Sequence, residues 1–309
     1  LAVSDVIQER LAFNTQSALR DLNGFIPDLR RLNHVDWFYN NVWRDPELVR
    51  LHWLPRITRI VEQAAQRGGR VLEIGCGNGF LALELARAGL HVTAVDISDT
   101  SIDIANRTLA QNTYSASFGS LHYVCTDASC MELAPAHFET VVCFRSLHHF
   151  PDAGNMLARI HQWLRPGGLL LLSEPIRARF SALSANIAGL LRALLPTWIA
   201  FDEKLNIHDT IGWESYIQQI HDEYTREHEH RQSPNDNSID DDATLLALLD
   251  KNFSITTLQY SDAIVDKLIG GLRGPQRLAM AGLLKTVDDY LVRQALLPPT
   301  SVEIEAVKV

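Results

Sequence analysis

Between residues 70 and 174 the chain alternates short, nearly all-apolar runs with longer stretches whose apolar residues recur at helical spacing. The short runs are RVLEI, HVTAVD, LHYVC, TVVCF and LLLLS, each of strand length and rich in β-branched or aliphatic residues. Amphipathic helices are predicted between them over 80–88, closed by Gly89, over 100–111, and over 153–164, closed by Pro166, Gly167 and Gly168. Strands that are apolar on both faces and alternate with helices predict a parallel sheet covered on each side.

The flanks follow other patterns. Residues 1–69 read as a helical, aromatic cap: one helical stretch reaches Arg20, and a second starts where Asp45 precedes Pro46 and runs to Gly68 and Gly69. Residues 175–250 break the strand–helix rhythm with a long apolar helical stretch, a stretch bearing Trp, Tyr and His, and the polar string HRQSPNDNSIDDD. FSITTLQYS then reads as a strand, followed by a helical stretch to about Leu296 and a closing strand SVEIEAVKV. The organisation expected is a cap (1–69), a core (70–174 with 251–309) and a helical lid insertion (175–250). The acidic run 240–242 reads as a loop entering a helix N-terminus, where negative charge is favourable, rather than as a metal site.

Composition narrows the class. With 46% hydrophobic and 21% charged residues the chain is an ordinary globular one, and its net charge of −9 argues against a broad nucleic-acid footprint. The four cysteines (Cys76, Cys125, Cys130, Cys143) lack metal-ligand spacing and read as reduced, mostly buried thiols of a cytoplasmic protein. The apolar stretch near 181–200 is broken by Arg192 and Pro196, so no stable membrane insertion is expected. The sequence opens at Leu1 rather than methionine, so residues upstream remain an open matter at this stage.

The string VLEIGCGNG holds the candidate chemistry. A strand runs into Gly75, Gly77 and Gly79 and straight into a helix, which brings backbone N–H groups and a helix N-terminus to a ligand. The spacing is G-x-G-x-G, short of the third glycine of a dinucleotide site, and the Gly-Lys-Ser/Thr ending of a phosphate loop is absent. Glu73 at the strand end is a poor neighbour for polyphosphate and a good one for an ammonium group. Asp96, ending the second strand, can accept from both hydroxyls of a ribose, with Ile97 offering an apolar face to a base. Asp127 in CTDAS is placed to accept from an exocyclic amine, or to cap a helix.

VLEIGCGNG, VDIS, CTDA, FRSLHHF and LRPGGLLLLSEP together resemble the class I S-adenosylmethionine-dependent methyltransferases, in particular the small-molecule group that includes ubiquinone- and menaquinone-type enzymes. The resemblance implies a Rossmann-like α/β fold, a seven-stranded mostly parallel sheet with helices on both faces and an antiparallel last strand. It implies S-adenosylmethionine as cofactor and S-adenosylhomocysteine as product. Glu73, Gly75, Gly77 and Gly79, with Cys76 in the same loop, would hold the methionine end. Asp96 would take the ribose, Ile97, Asp127 and Ala128 the adenine, and Arg145 and Ser146 would lie beside the cofactor.

The segment 145–150 discriminates subclasses. It lacks the Asn/Asp-Pro-Pro-Tyr/Phe string of base amino-methyltransferases, and Arg145–Ser146 and Glu174–Pro175 stand where catechol-type enzymes carry oxygen ligands for a cation. A small-molecule acceptor without a metal is expected. If the acceptor is a hydroxyl, a base must take its proton, and His148 and His149 are the candidates; the alternative is that such a histidine orders the loop. Glu174, Tyr216 and His208 are weaker candidates. His221, His228 and His230 read as a solvated helix face. Trp37, Trp43, Trp53, Trp198 and Trp213 lie in the cap and the insertion, where they either shape an apolar pocket or pin helices. The apolar helix of the insertion suits a hydrophobic or lipid-like substrate, a homodimer contact or a membrane surface. Other readings are a lipid, quinone or sugar-bearing acceptor, a non-methylating cofactor-binding protein of the same fold, and a nicotinamide oxidoreductase, against which the missing glycine counts.

Overall fold

The apolar runs become β1 (Arg70–Ile74), β2 (His91–Asp96), β3 (Ser120–Cys125), β4 (Phe138–Phe144) and β5 (Leu164–Pro175), joined late in the chain by β6 (Phe253–Ser261) and β7 (Ser301–Lys308). They form one seven-stranded sheet in the order β3-β2-β1-β4-β5-β7-β6. Neighbours pair in parallel except at β7, which runs antiparallel to both β5 and β6. The fold is thus the mostly parallel Rossmann-like sheet expected. The computed structural model describes residues 3–198, 207–227, 230–236, 239 and 241–309.

The helices before and within the first half are α1 (Val3–Leu22), α2 (Pro46–His52), α3 (Leu54–Arg67), α4 (Phe80–Arg87), α5 (Asp99–Ala110) and α6 (Ala153–Trp163). Those after β5 are α7 (Ala182–Leu194), α8 (Thr210–Thr225), α9 (Asp242–Leu249), α10 (Val265–Leu268) and α11 (Arg277–Arg293). Side chains alternate across the sheet as a strand's period of two requires. Val71, Val142 and Leu171 face the side covered by Ile57 of α3 and Leu81 and Leu85 of α4. Leu72, Val141 and Leu170 face Met156, Leu157 and Ile160 of α6. A separate apolar cluster joins α7 and α8 through Ala185, Ala188, Ile217, Ile220 and Tyr224.

Local chemistry sets the helix starts. Asp45 accepts from the Glu47 N–H with Pro46 at the first helical position, Ser98 accepts from Ser101, Asp152 from Asn155 and Asp241 from Thr244. Some expectations need correction. The single helix expected to end at Gly68 is two, parting at Trp53, because Pro55 has no N–H to continue the ladder and its ring crowds the carbonyl four residues back. Pro166, Gly167 and Gly168 do not close α6 but bulge within β5, where the pairing with β4 jumps from Phe138–Leu164 to Thr140–Leu169. The helical stretch after β6 is interrupted around Gly270, Gly271 and Gly274; a side chain at Gly270 would strike the Asn40 carbonyl. Two of the four thiols, Cys125 and Cys130, are exposed, since β3 is an edge strand and Cys130 sits on the loop after it. No helix of the described residues is long and apolar enough to cross a membrane.

A buried ion pair fastens the cap to the core. Asp28, in the loop after α1, takes two hydrogen bonds from Arg87 of α4, at 2.7 and 2.9 Å, and both side chains are sealed from solvent. Burial alone would raise the Asp28 carboxyl; Arg87 and the Arg30 N–H hold it below its ordinary value. Breaking such a pair strands a buried charge, so Arg87→Met is expected to cost about 3–5 kcal/mol in urea unfolding. Asp28→Leu combined with Arg87→Met should recover most of that loss; a double variant as unstable as the single one would show that the pair is not the fastening.

Candidate functional site

The strand order reverses between β1 and β4, so the connections leaving these neighbours go to opposite faces and leave a crevice at their carboxyl ends. A cavity of about 410 Å³ opens there. One side is the glycine loop with the ends of β2 and β3; the other is built by α1, residues 38–43, the 145–151 loop, and residues of the 175–250 region and α10.

The loop is shaped by close approaches. Gly75 has φ +72°, and a Cβ there would collide with the Ser146 Cβ, whose hydroxyl donates to the Ile74 carbonyl at 2.6 Å. Gly79 has φ +82°, and a Cβ would collide with the Tyr123 ring, whose hydroxyl donates to the Gly79 carbonyl at 2.8 Å. The Gly75 and Cys76 N–H groups donate to the Val95 carbonyl, tying the loop to β2. Asp96 closes the turn: one oxygen accepts from the Gly77 N–H at 2.7 Å, the other from the Ser98 N–H at 2.8 Å. Burial raises the Asp96 carboxyl despite these donors.

Glu73 is the unusual group. It is buried at the cavity wall, and its Oε2 has no hydrogen-bond partner. Burial, and next the nearby Asp96, push its pKa up to about 8. Such an oxygen is matched by a cation or a donor arriving with a ligand. Asp127 accepts at one oxygen from the Ser129 N–H and hydroxyl, capping a short turn at Ala128–Cys130, and lines the cavity with Ile97 and Ala128.

At the end of β4, Arg145 stands at φ +54°, a conformation uncommon without glycine, with its N–H donating to the Ser173 carbonyl at 2.7 Å. The next residues form a tight turn, Leu147–His149, held from below by Glu174. Glu174 Oε1 accepts from the N–H groups of Ser146 (3.1 Å) and Leu147 (2.8 Å), and Oε2 lies 2.6 Å from His148 Nδ1. Burial would raise Glu174, but His148 and these donors hold it below the ordinary carboxylate value.

The two histidines part company here. His148 is buried between Glu174 and Asp236, whose Oδ1 lies 3.6 Å from Nε2, and is not among the cavity-lining residues. His149 lines the cavity, with Nδ1 3.1 Å from both Glu9 Oε1 and Ser233 Oγ and its ring edge-on to Phe13. Burial, and next His148, lower the His149 pKa. His148, His149 and Asp236 bring three ligand-type atoms within 4.8 Å of one another. Arg177 sets a cation against the same atoms, 3.2 Å from Asp236 Oδ1 and 3.4 Å from His148 Nε2, which disfavours a divalent ion there.

Glu174, Tyr216 and His208 do not line the cavity: Glu174 supports the 145–150 loop from beneath, and Tyr216 packs on α7 at Gly189. Of the five flanking tryptophans, Trp43 and Trp53 line it, while Trp198 abuts Gly271 and Trp213 donates to Asn186. His221 lies on α8 and His230 beyond its end; His228 is outside the described residues. Not anticipated were Val6, Glu9, Phe13, Ser17 and Arg20, one face of α1, nor Asp266 and Lys267. Ser17 donates to Asn78 of the glycine loop at 3.0 Å, and Glu9 accepts from Ser233 Oγ and the Asn235 N–H. These α1 positions share one side of the helix but mix polar and apolar residues, so their spacing alone does not mark them.

A family model described as a methyltransferase domain matches residues 71–168. The ubiquinone biosynthesis O-methyltransferase of Coxiella burnetii is 32% identical over 134 residues, 43% of this chain and 55% of that protein. The protein of the same name from Aromatoleum aromaticum is 33% identical over 150 residues, 48% of this chain and 55% of that one. The chain spans about half the length of these curated relatives. Among solved structures, geranyl diphosphate C-methyltransferase from Streptomyces coelicolor A3(2) superposes with a TM-score of 0.56 at 12% identity, and magnesium protoporphyrin IX methyltransferase from Synechocystis PCC 6803 with 0.53 at 16%. Each covers 100% of this chain and 99% of the other, a likeness of fold.

The raised Glu73 carboxyl has a sign that can be measured. Between the ordinary glutamate value, about 4.3, and its folded value of about 8, the folded protein keeps a proton that the unfolded chain has lost, so stability falls as pH rises through that window. Urea midpoints from pH 5 to pH 8 should show wild type losing stability relative to Glu73→Gln by about 1.4 kcal/mol per pH unit. Parallel curves would mean that Glu73 is ionised throughout.

Proposed function

We propose that this chain, whose residues 71–168 match a methyltransferase domain, is a class I S-adenosylmethionine-dependent methyltransferase that transfers a methyl group from S-adenosylmethionine to an oxygen or carbon atom of a small molecule. The observation that carries this reading is the buried, partnerless Oε2 of Glu73 beside the glycine loop, a receptor for an amino group in a cavity that also holds Asp96 and Asp127. Glu73 and the backbone of Gly75, Cys76, Gly77 and Gly79 hold the methionine end. Asp96 takes the ribose, Ile97 faces the adenine, and Asp127 and Ala128 bind its edge, with Arg145 and Ser146 alongside. When bound, S-adenosylmethionine supplies an electrophilic methyl on a sulfonium and leaves as S-adenosylhomocysteine.

The names of the relatives, O-methyltransferases, favour a hydroxyl oxygen as the acceptor atom. His149 is the base for that hydroxyl. Glu9 at 3.1 Å favours a proton on Nδ1 and leaves Nε2, 3.9 Å from Asp236 Oδ1, as the accepting nitrogen, and burial favours the neutral imidazole. His148, held by Glu174 and Asp236, positions the 145–150 loop. The cap (1–69) and the insertion (175–250) act as a lid whose Phe13, Trp43 and Trp53 exclude water from the acceptor. The reading goes with a cytoplasmic enzyme, no nucleic-acid partner, and pairing of two copies through the exposed Leu183, Leu190 and Leu194 of α7.

Calorimetry should show S-adenosylhomocysteine binding that is about 10–100-fold weaker in Asp96→Ala. No binding to folded wild-type protein would sink the proposal, and binding without turnover on any phenolic, quinol or lipid acceptor would favour a non-catalytic binder. Binding at pH 7 should release a proton from Glu73, read as a dependence of the measured heat on buffer ionisation that Glu73→Gln abolishes. His149→Ala should lower kcat about 10²–10⁴-fold with cofactor affinity nearly unchanged. Equal losses in both would make His149 structural.

A further inference from the structure

The cavity lining carries both signs of charge: the acids Glu73, Asp96 and Asp127 at the ends of β1, β2 and β3, and the cations Arg20, Arg145, Arg177, Arg226 and Lys267 on other elements. Several of these cations have counterions. Arg177 pairs with Asp236 at 3.2 Å and Lys267 with Asp266 at 3.1 Å. Of the remaining acids on this wall, Glu223 is taken by Arg192 at 2.8 Å, and Glu9 by Ser233, the Asn235 N–H and His149.

Arg20 and Arg145 are different. Neither has a carboxylate within ion-pair distance among the described residues. Arg145 lies over the Trp53 ring, 5.3 Å from its centroid, with the Ser301 hydroxyl at 3.5 Å. The Arg20 guanidinium has no side-chain hydrogen bond or ion pair among the described residues, although the helix that carries it is pinned on both sides by Ser17 and Gln16. Burial lowers the pKa of each, and Arg226 lowers that of Arg20 further. Arg226 and Arg145 in turn act on both Arg177 and Lys267, which links Arg20 to this group through Arg226. Asp266, Glu174 and Asp262 act on Arg145 only from beyond ion-pair contact, and half-buried guanidinium groups without a carboxylate in contact, beside an aromatic wall, suit an aromatic acid.

We propose that the cationic part of the cavity lining is an oxyanion subsite, in which Arg20 or Arg145, the two guanidinium groups without an ion-pair partner among the described residues, receives a carboxylate or phosphate group carried by the acceptor substrate. This deepens the methyltransferase reading by naming the class of acceptor: an aromatic or apolar acid rather than a neutral phenol or an amine.

The test uses 1-hydroxy-2-naphthoate, 1-naphthyl phosphate and the neutral 1-hydroxy-2-naphthamide, titrated calorimetrically into the full chain with and without S-adenosylhomocysteine. The acid or the phosphate should bind at least about tenfold tighter than the amide, and which of the two binds tighter identifies the oxyanion. That preference should weaken as salt rises. Arg20→Met should abolish it, and Arg20→Lys should restore part of it, with the thermal midpoint unchanged in both. Equal affinities of all three probes, or no detectable binding of either anion at millimolar concentration, would overturn the subsite. So would an Arg20→Met variant that weakens S-adenosylhomocysteine but leaves 5′-methylthioadenosine unaffected, since Arg20 would then serve the carboxylate of the cofactor. Failure of S-adenosylhomocysteine to bind, with the anion preference intact, would strike the methyltransferase reading and leave the subsite standing.

Discussion

The reversal of strand order at β1 is the constraint from which the site follows. β1 is hydrogen-bonded to β2 on one side and β4 on the other, in registers that end level at Ile74, Val95 and Cys143. Three chain segments therefore leave the sheet at one edge, and the two helices next to the gap lie on opposite faces. The gap must be floored by backbone, which is why Gly75 sits against Ser146 and why the Ser146 hydroxyl reaches back to the Ile74 carbonyl. A side chain at residue 75 would push β1 and β4 apart at the point where the loop must lie flat.

Charge is distributed along this gap with little waste. Carboxylates collect where backbone N–H groups converge, as at Asp96 and Asp127, and each satisfies a turn before it meets any ligand. Glu73 is the exception, an acid held in the wall with half its hydrogen-bonding capacity unused. The cations of the lining are drawn from α1, the end of β4, the 175–250 region and α10. Phe13, Trp43 and Trp53 line the same cavity and lower the local dielectric, which lengthens the reach of both signs of charge.

How far the residues betrayed this arrangement differs from part to part. Sheet strands covered on both faces leave unbroken apolar runs, so β1 to β5 were legible, as were Glu73, Asp96 and Asp127 as acids at strand ends. The Pro55 break carried its signal in plain view; the bulge at Pro166–Gly168 did not, because the same residues close a helix or interrupt a strand equally well. His148 and His149 are indistinguishable as neighbours in sequence, and only the tight turn at Leu147–His149, which throws successive side chains in different directions, puts one under the loop and the other into the cavity. The working face of α1 was hidden for a related reason. Glu9, Ser17 and Arg20 share a side of the helix with Val6 and Phe13, so the face that covers a polar cavity has no apolar stripe to announce it.

The bonds from Glu9 to Ser233 and Asn235 join residues separated by 224 and 226 positions along the chain. Contacts of that span close very long loops, so they add to the topological cost of folding more than to the local stability of the sheet. The sheet gains nothing from them and loses nothing when they open. Excursions of α1 that part these bonds while β1 to β5 stay intact would be a low-energy class of local unfolding, seen as fast amide exchange on α1 against slow exchange on the central strands. The hydrogen bonds Ser98–Asn14 and Ser17–Ser101 tie α1 to the start of α5 as well, so exchange on α1 reads how firmly the whole cap is held against the sheet.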